Sequence, residues 1–534
     1  MPNKPKVLVS DKLSQVALDI FKDRGIDVDF NPELGKDPKR LKAVIHNYDG
    51  LAIRSATKVT QDLLSEATQL KVIGRAGIGV DNVDQKAATQ RGIIVMNTPF
   101  GNSETTAEHA IALLFSIARQ IPEANASMKS GRWEKSKFVG SELIGKTLGV
   151  IGCGNIGTGV CKRALGLMMK VIGYDPFLTE ERAQKLGIKK VEFDEVLRHS
   201  DFISLHLPLN DKTRNMIDAE ALAKTKKGVG IINCARGGII DEKALYDALT
   251  SGQVAYAGLD VFEQEPPTDN PLLKLPNLVA TPHLGASTAE AQVKVAQQVA
   301  EQMSDYLLSG AITNALNMPS ISAEEAGRIK PWIALANHLG SFVGQITNEP
   351  IIAVNLLYNG QATTQNTNAL TAVAIAGILK VANPEVNMVS AESVARERGI
   401  VVSSTNQTRT GIFESFMKLN IQTPRRTRSI VGTVFSDGKP RIIQIKGINL
   451  EAEFSRYMLY TTNKDAPGVV GVLGTILSNY DINIASFNLG RTSYGDNAIA
   501  LLSVDTQIGE VTMKELEESG VFNQLKALEF ETSQ

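Results

Sequence analysis

The chain has 534 residues, enough for three to four domains, and its 43% hydrophobic content can fill several cores. With 56 basic against 57 acidic residues, the balance supports neither a nucleic-acid groove nor a polybasic membrane face. Three cysteines (Cys153, Cys161, Cys234) without a Cys-x-x-Cys pair indicate neither a disulfide framework nor a metal site, and they fit a reducing, cytoplasmic setting.

The opening residues pass straight into a strand-like run, with no apolar core of signal-peptide length. No uninterrupted apolar run approaches the ~18 residues of a membrane span, so a soluble protein is expected. Short apolar runs at 6–10, 49–54, 71–75 and 93–97 alternate with longer amphipathic ones, the pattern of parallel α/β layers. A helix is expected to begin at Asn102 or Ser103, either of which could cap it, and to continue to about Lys129.

Next comes Gly152-x-Gly154-x-x-Gly157, with an apolar strand before it, a helix over Gly159 to Met169 after it, and then a strand ending at Asp175. Such a loop brings backbone N–H groups and a helix N-terminus to a pyrophosphate, while Asp175 stands where a carboxylate bonds the ribose hydroxyls. A carboxylate there repels a 2′-phosphate, which favours NAD over NADP. Further strands are expected at 170–174, 201–205, 229–233, 254–259 and 277–280, giving a doubly wound sheet. His206, at a strand end without a glutamate partner in any motif, reads as structural.

Between Ile231 and Ser287 lie Arg236, Glu265 and His283, each in a glycine- or proline-punctuated segment. Oxidation of a hydroxyl beside a carboxylate needs these residue types. Arg236 can hold the carboxylate in a fork, His283 can take the hydroxyl proton, and Glu265 can orient the histidine and stabilise its imidazolium.

A long helix after Pro282 is expected to return to the first unit, with a domain exit near Asn314 to Pro319. Residues ~320–455 suggest helices at Ala336–Thr347, Ala369–Val381 and Ala391–Gly399, with strands in I-I-A-V-N-L-L-Y, S-I-V-G-T-V-F and R-I-I-Q-I-K-G. The last ~75 residues read as strand (Tyr457–Thr461), helix (Val469–Asn479), strand (Asn483–Leu489), strand (Ala498–Ser503) and helix from about Ile508, a βαββα run of ferredoxin type.

The segments R-A-G-I-G-V-D-N-V-D (75–84), G-C-G-N-I-G, C-A-R-G-G-I-I-D-E, A-G-L-D-V-F-E-Q-E-P and T-P-H-L-G-A-S-T resemble those of the D-isomer-specific 2-hydroxyacid dehydrogenases. The chain as a whole resembles the long form of that family. The resemblance implies an α/β architecture: a Rossmann-type doubly wound parallel sheet (100–285) inserted in a discontinuous flavodoxin-like substrate domain (1–99 and 286–317). An α+β intervening domain (318–455) and a ferredoxin-like ACT domain (456–534) would follow.

It further implies Arg236, Glu265 and His283 as the catalytic set. The NAD site would comprise Gly152, Gly154, Asn155, Ile156, Gly157, Asp175, Leu207, Cys234, Ala235, Arg236, Asp260, His283, Gly285 and Ala286. Arg54, Ser55, Arg75, Gly77 and Asn102 would bind substrate. The implied reaction is oxidation of D-3-phosphoglycerate to 3-phosphohydroxypyruvate, the entry to L-serine synthesis, in a homo-oligomer of two or four subunits. Arg132, Lys135 and Lys137 would reach a neighbouring site, with Trp133 as interface anchor. Asp465 and Asn483 would hold L-serine as an effector, although Asn463 stands where serine-sensing relatives carry an aromatic or imidazole. A different 2-hydroxyacid reductase, or an NAD-sensing corepressor-like protein, would share the catalytic trio.

Overall fold

The computed structural model describes residues 4–99, 101–408, 413–493 and 495–530. Its first sheet has five strands in the order Asp27–Phe30, Lys6–Val9, Gly50–Ile53, Val72–Arg75, Ile94–Met96. All are parallel, and the order 2-1-3-4-5 is flavodoxin-like. Four of these strands are apolar runs buried on both faces, as a helix-covered parallel sheet requires. Asp27–Phe30 was not anticipated, because an edge strand that is exposed or half-buried at every position carries no apolar pattern.

A second sheet has seven parallel strands: Leu278–Ala280, Val254–Leu259, Val229–Asn233, Phe202–Leu205, Thr147–Ile151, Lys170–Tyr174 and Lys189–Lys190. Chain order reverses between Thr147–Ile151 and Phe202–Leu205, and that reversal opens the crevice where such sheets bind ligands.

The single helix expected over 103–129 is instead two, Ser103–Arg119 and Ile121–Lys129. Gln120 breaks them with a left-handed φ of 50°, and Pro122 fits the first turn of the second helix, where no intrahelical N–H bond is needed. Ala107, Ala110, Leu113, Leu114 and Ile117 of the first helix pack into the core of the second sheet. Helix Ala289–Ser309 crosses back to the first sheet, where Val295, Ala296, Val299 and Met303 share a core with Val7, Ala52 and Val72. A Cβ at Gly74 would sit 2.2 Å from the Met303 sulfur and 2.6 Å from Val299 Cγ2, so glycine here lets the helix pack close to the strand.

Helices Ala323–Ile346 and Thr367–Lys380 then pack in close contact. A Cβ at Gly340 would lie 2.1 Å from the Ala374 carbonyl oxygen. The first helix begins thirteen residues before the expected Ala336, because a Ser322/Glu325 capping box starts it and it continues through Pro331. Beside them lies a six-stranded mixed sheet in the order Val401–Gln407, Ala353–Asn359, Phe416–Gln422, Thr427–Val434, Pro440–Ile445, Ile448–Glu453.

The terminal unit is an antiparallel sheet in the order Ile484–Arg491, Asn497–Val504, Tyr457–Lys464, Phe522–Glu529, with helices Val469–Asn479 and Glu510–Glu518. It is βαββαβ, one strand more than the sequence reading. Among the described residues, no helix is long and apolar enough to cross a membrane, and no His/Cys/Asp/Glu cluster could hold a metal.

Candidate active site

The singled-out residues of the first two units gather at or just beyond the C-terminal ends of parallel strands, or on the loops and helix starts that follow. Arg54 follows Gly50–Ile53 and Arg75 ends Val72–Arg75, while the glycine loop follows Thr147–Ile151 and Asp175 follows Lys170–Tyr174. Arg236, Asp260 and His283 come just after three more strands of the second sheet.

The cofactor loop is dictated by close approach. Gly152 has φ 94°, and a Cβ there would lie 2.3 Å from the His206 carbonyl oxygen and against Leu207; one at Gly157 would lie 1.9 Å from the Gly152 oxygen. Around Gly154, by contrast, nothing stands within 4 Å, so the loop is open on the side a pyrophosphate would take. Helix Asn155–Gly166 starts there with no side chain capping its N–H groups, which leaves Asn155 and Ile156 at a helix end suited to an anion. Asp175 accepts the Cys153 N–H at 2.8 Å and the Phe177 N–H at 2.8 Å, so its carboxylate is oriented by the glycine loop. These residues fit a dinucleotide. Gly157→Ala should weaken NADH binding by about tenfold or more, equal to ~1.4 kcal/mol, as read by fluorescence titration; an unchanged affinity would contradict the close-packed loop.

Cys153 and Cys161 are buried among apolar side chains of this core. His206 is half-buried and bonds Ser204 Oγ at 2.8 Å, and desolvation of its ring lowers its pKa to about 4. Burial also raises the Cys234 thiol, and Ala235 is fixed by its N–H bond to Asn233 Oδ1 at 3.0 Å.

His283 Nδ1 stands 2.7 Å from Glu265 Oε2, while Glu265 Oε1 accepts the Phe262 N–H at 3.2 Å. Burial raises the Glu265 carboxyl, but the bond and charge of His283 outweigh it and hold Glu265 below its ordinary value. With Nδ1 engaged, His283 presents Nε2 as the proton acceptor.

His283 itself has a φ of 55°, an uncommon conformation for a residue other than glycine. Its segment is pinned by Asp260, which is 1% exposed and accepts bonds from Thr281 Oγ1 (2.6 Å), Leu284 N–H (2.7 Å) and Gly285 N–H (2.8 Å). His109, which the sequence reading missed, approaches the same carboxylate at 3.2 Å. Thr106 Oγ1 lies 3.0 Å from both the Gly285 and the Asn102 carbonyl oxygens and can donate to either.

Burial raises the Asp260 carboxyl, but hydrogen bonds from His109, Thr281 and Leu284 win and depress it. A depressed carboxyl contributes stability above its unfolded value, near 3.9, and loses it as pH falls through the folded value. Asp260→Asn should therefore lower the melting temperature by a constant margin above about pH 4. That margin should shrink below it, and a margin independent of pH would contradict this role.

Arg236 donates through Nε to Asp81 Oδ2 at 2.8 Å and through Nη1 to the Ala235 carbonyl at 2.6 Å. This pair joins the two sheets' domains across the cleft. Arg236 also lies over Gly79, where a Cβ would meet its Nη2 at 1.5 Å. Arg75 lies in the same way over Gly77, whose Cβ would meet its Nη1 at 1.9 Å. Burial first, then the positive charges of Arg236 and Arg54, push Arg75 down to about 10, with Asp81 and Asp11 opposing.

Asp11, another residue the sequence reading missed, is committed elsewhere: it accepts the Arg54 N–H, the Thr57 N–H and the Thr57 hydroxyl. Arg75 Nε, Thr98 Oγ1 and Asn102 Oδ1 are buried without a protein partner. Asn102 occupies the cap position of helix Ser103–Arg119 but does not cap it, contrary to expectation. Ser55 lies exposed beside Arg54. Arg54, Arg75 and Arg236 thus stand within electrostatic reach of one another, with Arg75 Nε a buried donor without a protein partner, an environment suited to an anion.

The terminal unit does not bring Asp465 and Asn483 together. Asp465 bonds Arg491 at 2.6 Å, and Asn483 bonds Asp505 at 2.8 Å. Lys464 pairs with Asn497 and Tyr457 with Val504, so the two residues lie at opposite ends of an eight-residue strand pairing, on the order of 25 Å apart. The sequence reading placed Asp465 in a turn and Asn483 at the next strand, without the register that separates them.

Comparison with known proteins agrees with this geometry. Residues 111–285 match the family described as D-isomer specific 2-hydroxyacid dehydrogenase, NAD binding domain, and residues 328–446 match the D-3-phosphoglycerate dehydrogenase intervening domain. D-3-phosphoglycerate dehydrogenase of Bacillus subtilis is 43% identical over 96% of this chain and 97% of its own. The protein of that name from Methanocaldococcus jannaschii is 41% identical over the same shares. Among solved structures, a glyoxylate reductase from Paecilomyes thermophila superposes with a TM-score of 0.55 at 33% identity, covering 59% of this chain and 99% of that one. The chain is an NAD-dependent D-2-hydroxyacid dehydrogenase and belongs to the D-3-phosphoglycerate dehydrogenase family.

Proposed function

We propose that this protein oxidises D-3-phosphoglycerate to 3-phosphohydroxypyruvate with NAD, the first step of the phosphorylated route to L-serine. The observation that carries the substrate is the arginine triad: a hydroxy acid with a single carboxylate needs one guanidinium, and a phosphate accounts for the others. Arg236, oriented by Asp81, holds the carboxylate. Arg54 and Arg75, with Ser55, Gly77 and Asn102, hold the phosphate. His283 Nε2 takes the 2-hydroxyl proton, and Glu265 stabilises the resulting imidazolium. NAD, held by the glycine loop, Asp175, Leu207 and the Cys234–Ala235 and Asp260–Ala286 segments, accepts the hydride from C2.

The test separates phosphate from carboxylate. Arg75→Met should raise KM for 3-phosphoglycerate by about 100-fold and leave turnover of D-glycerate within about twofold; equal losses on both would contradict the assignment.

The presence of four separate sheets supports a domain division at 99/100, 285/286, 317/318 and 455/456. Exposed Ile121, Met128 and Trp133, at 49%, 53% and 80%, support a twofold dimer through helices 103–129. In that dimer Arg132, Lys135 and Lys137 approach the partner's cleft, and pairing of dimers gives a tetramer. The 2-3-1-4 strand order of the terminal sheet supports an ACT role in sensing L-serine. Because Asp465 and Asn483 are remote within one chain, an effector touching both takes them from two copies. Three free, buried cysteines support a cytoplasmic setting.

A further inference from the structure

The loop that carries the substrate arginine cannot set its own shape. Ile78 lies between Gly77, whose φ of 152° favours glycine, and Gly79; the Arg75 and Arg236 guanidiniums lie over these two glycines, and a Cβ at either would displace them. Glycines on both sides of Ile78 leave the backbone free to adopt many conformations, so contacts from outside the loop select one. Two hydrogen bonds do so: the Thr98 N–H donates to the Gly77 carbonyl at 3.1 Å, and Asn97 Nδ2 donates to the Ile78 carbonyl at 2.7 Å.

Asn97 is 7% exposed, and its backbone is held from two directions. Its carbonyl accepts from Gln302 Nε2 at 2.8 Å, and its N–H donates to the Asn314 carbonyl at 3.2 Å. The ring closes because Asn314 Nδ2 donates to Gln302 Oε1 at 3.1 Å. Gln302 is 3% exposed on a helix whose neighbouring inward residues, Val295, Val299 and Met303, are apolar. A buried amide is costly unless its donor and acceptor are both paired, and here both are. A leucine or methionine would fill the same volume without that requirement, so the amide serves the ring.

Asn314 belongs to the strap that leaves this domain for the next. Ala315 bridges to Met96, and the Leu316 N–H donates to the Val95 carbonyl at 2.8 Å. The strap and the substrate loop are therefore registered through one residue.

We propose that Asn97 is a positioning residue for substrate binding: held by Gln302 and Asn314, it fixes the 77–79 loop beneath Arg75 and Arg236. The assignment rests on the substrate reading above. Asn97→Ala should raise KM for 3-phosphoglycerate by about tenfold, change kcat by less than about threefold, and leave the NADH dissociation constant within about twofold. Gln302→Met, which keeps the volume, should move KM in the same direction, and the double variant should be no worse than Asn97→Ala alone, as expected of one connected network.

A KM unchanged in both variants would overturn the proposal, as would KM and NADH affinity worsening in parallel. If Asn97→Ala fails to fold, Gln302→Met alone carries the test. Arg75→Met separates the two levels. If it leaves KM unchanged, the substrate reading fails; if it raises KM while Asn97→Ala and Gln302→Met do not, only the positioning role fails.

Discussion

His283→Ala should lower kcat for 3-phosphoglycerate oxidation by about 10³- to 10⁴-fold while NADH binds as before. The asymmetry follows from where the imidazole stands. Its Nδ1 is committed to Glu265 at 2.7 Å, which leaves Nε2 free to accept a proton, whereas most of the proposed dinucleotide site, the glycine loop and Asp175 above all, lies away from the imidazole. The segment's geometry does not depend on the ring, because the His283 N–H donates to the Asp260 carbonyl at 2.9 Å and Asp260 anchors the next two N–H groups. Pre-steady-state mixing with excess enzyme would show slow hydride transfer with intact binding. Retained turnover, or loss of NADH affinity in proportion to kcat, would contradict the histidine's role.

Arg236→Lys should cost about 10²- to 10³-fold in kcat/KM, although the charge is kept. Lysine cannot reproduce a planar fork, and it would release Asp81, leaving a carboxylate at the mouth of an anion site. Arg236 stands 2.8 Å from Asp81 and in contact with Gly79. Replacing it therefore disturbs carboxylate recognition and the link between the two domains together. Removing Asp81 alone, as Asp81→Ala, should cost about tenfold, since the guanidinium remains but its orientation is lost. A lysine variant within a few-fold of the parent would show that the fork is not used.

The pairing of Glu265 with His283 was legible because each residue type suits a specific chemical task and sits in its own polar, turn-rich segment. The glycine loop was legible because close backbone contacts demand glycine at Gly152 and Gly157. Asp81, Asp11 and His109 were not read as site residues, since each acts through a partner 43 or more positions away. Asp81 meets Arg236 across the cleft, and His109 meets Asp260 from a helix in another part of the chain. Gln302 was hidden for the same reason: within its helix it looks like one more polar position, and only the packing shows it to be buried.

Among the elements, Phe416–Gln422 and Ile448–Glu453 carry period-two burial that their sequences display in Met417, Leu419 and Ile421 and in Ile448, Leu450 and Ala452. They could have been found. Val401–Gln407 could not, because V-V-S-S-T-N-Q is mostly exposed and has no apolar face. The break at Gln120 was concealed by a helical pattern on both sides, and the start of helix Ala323–Ile346 by a proline that its capping box overrides.

The central claim is that this cleft oxidises a phosphorylated hydroxy acid with NAD. Its most direct test is the initial rate of NADH formation by the purified full chain with 3-phosphoglycerate, D-glycerate and D-lactate as parallel substrates. The account predicts kcat/KM at least about 100-fold higher for 3-phosphoglycerate than for either unphosphorylated acid. Equal or faster turnover of an unphosphorylated acid would contradict it.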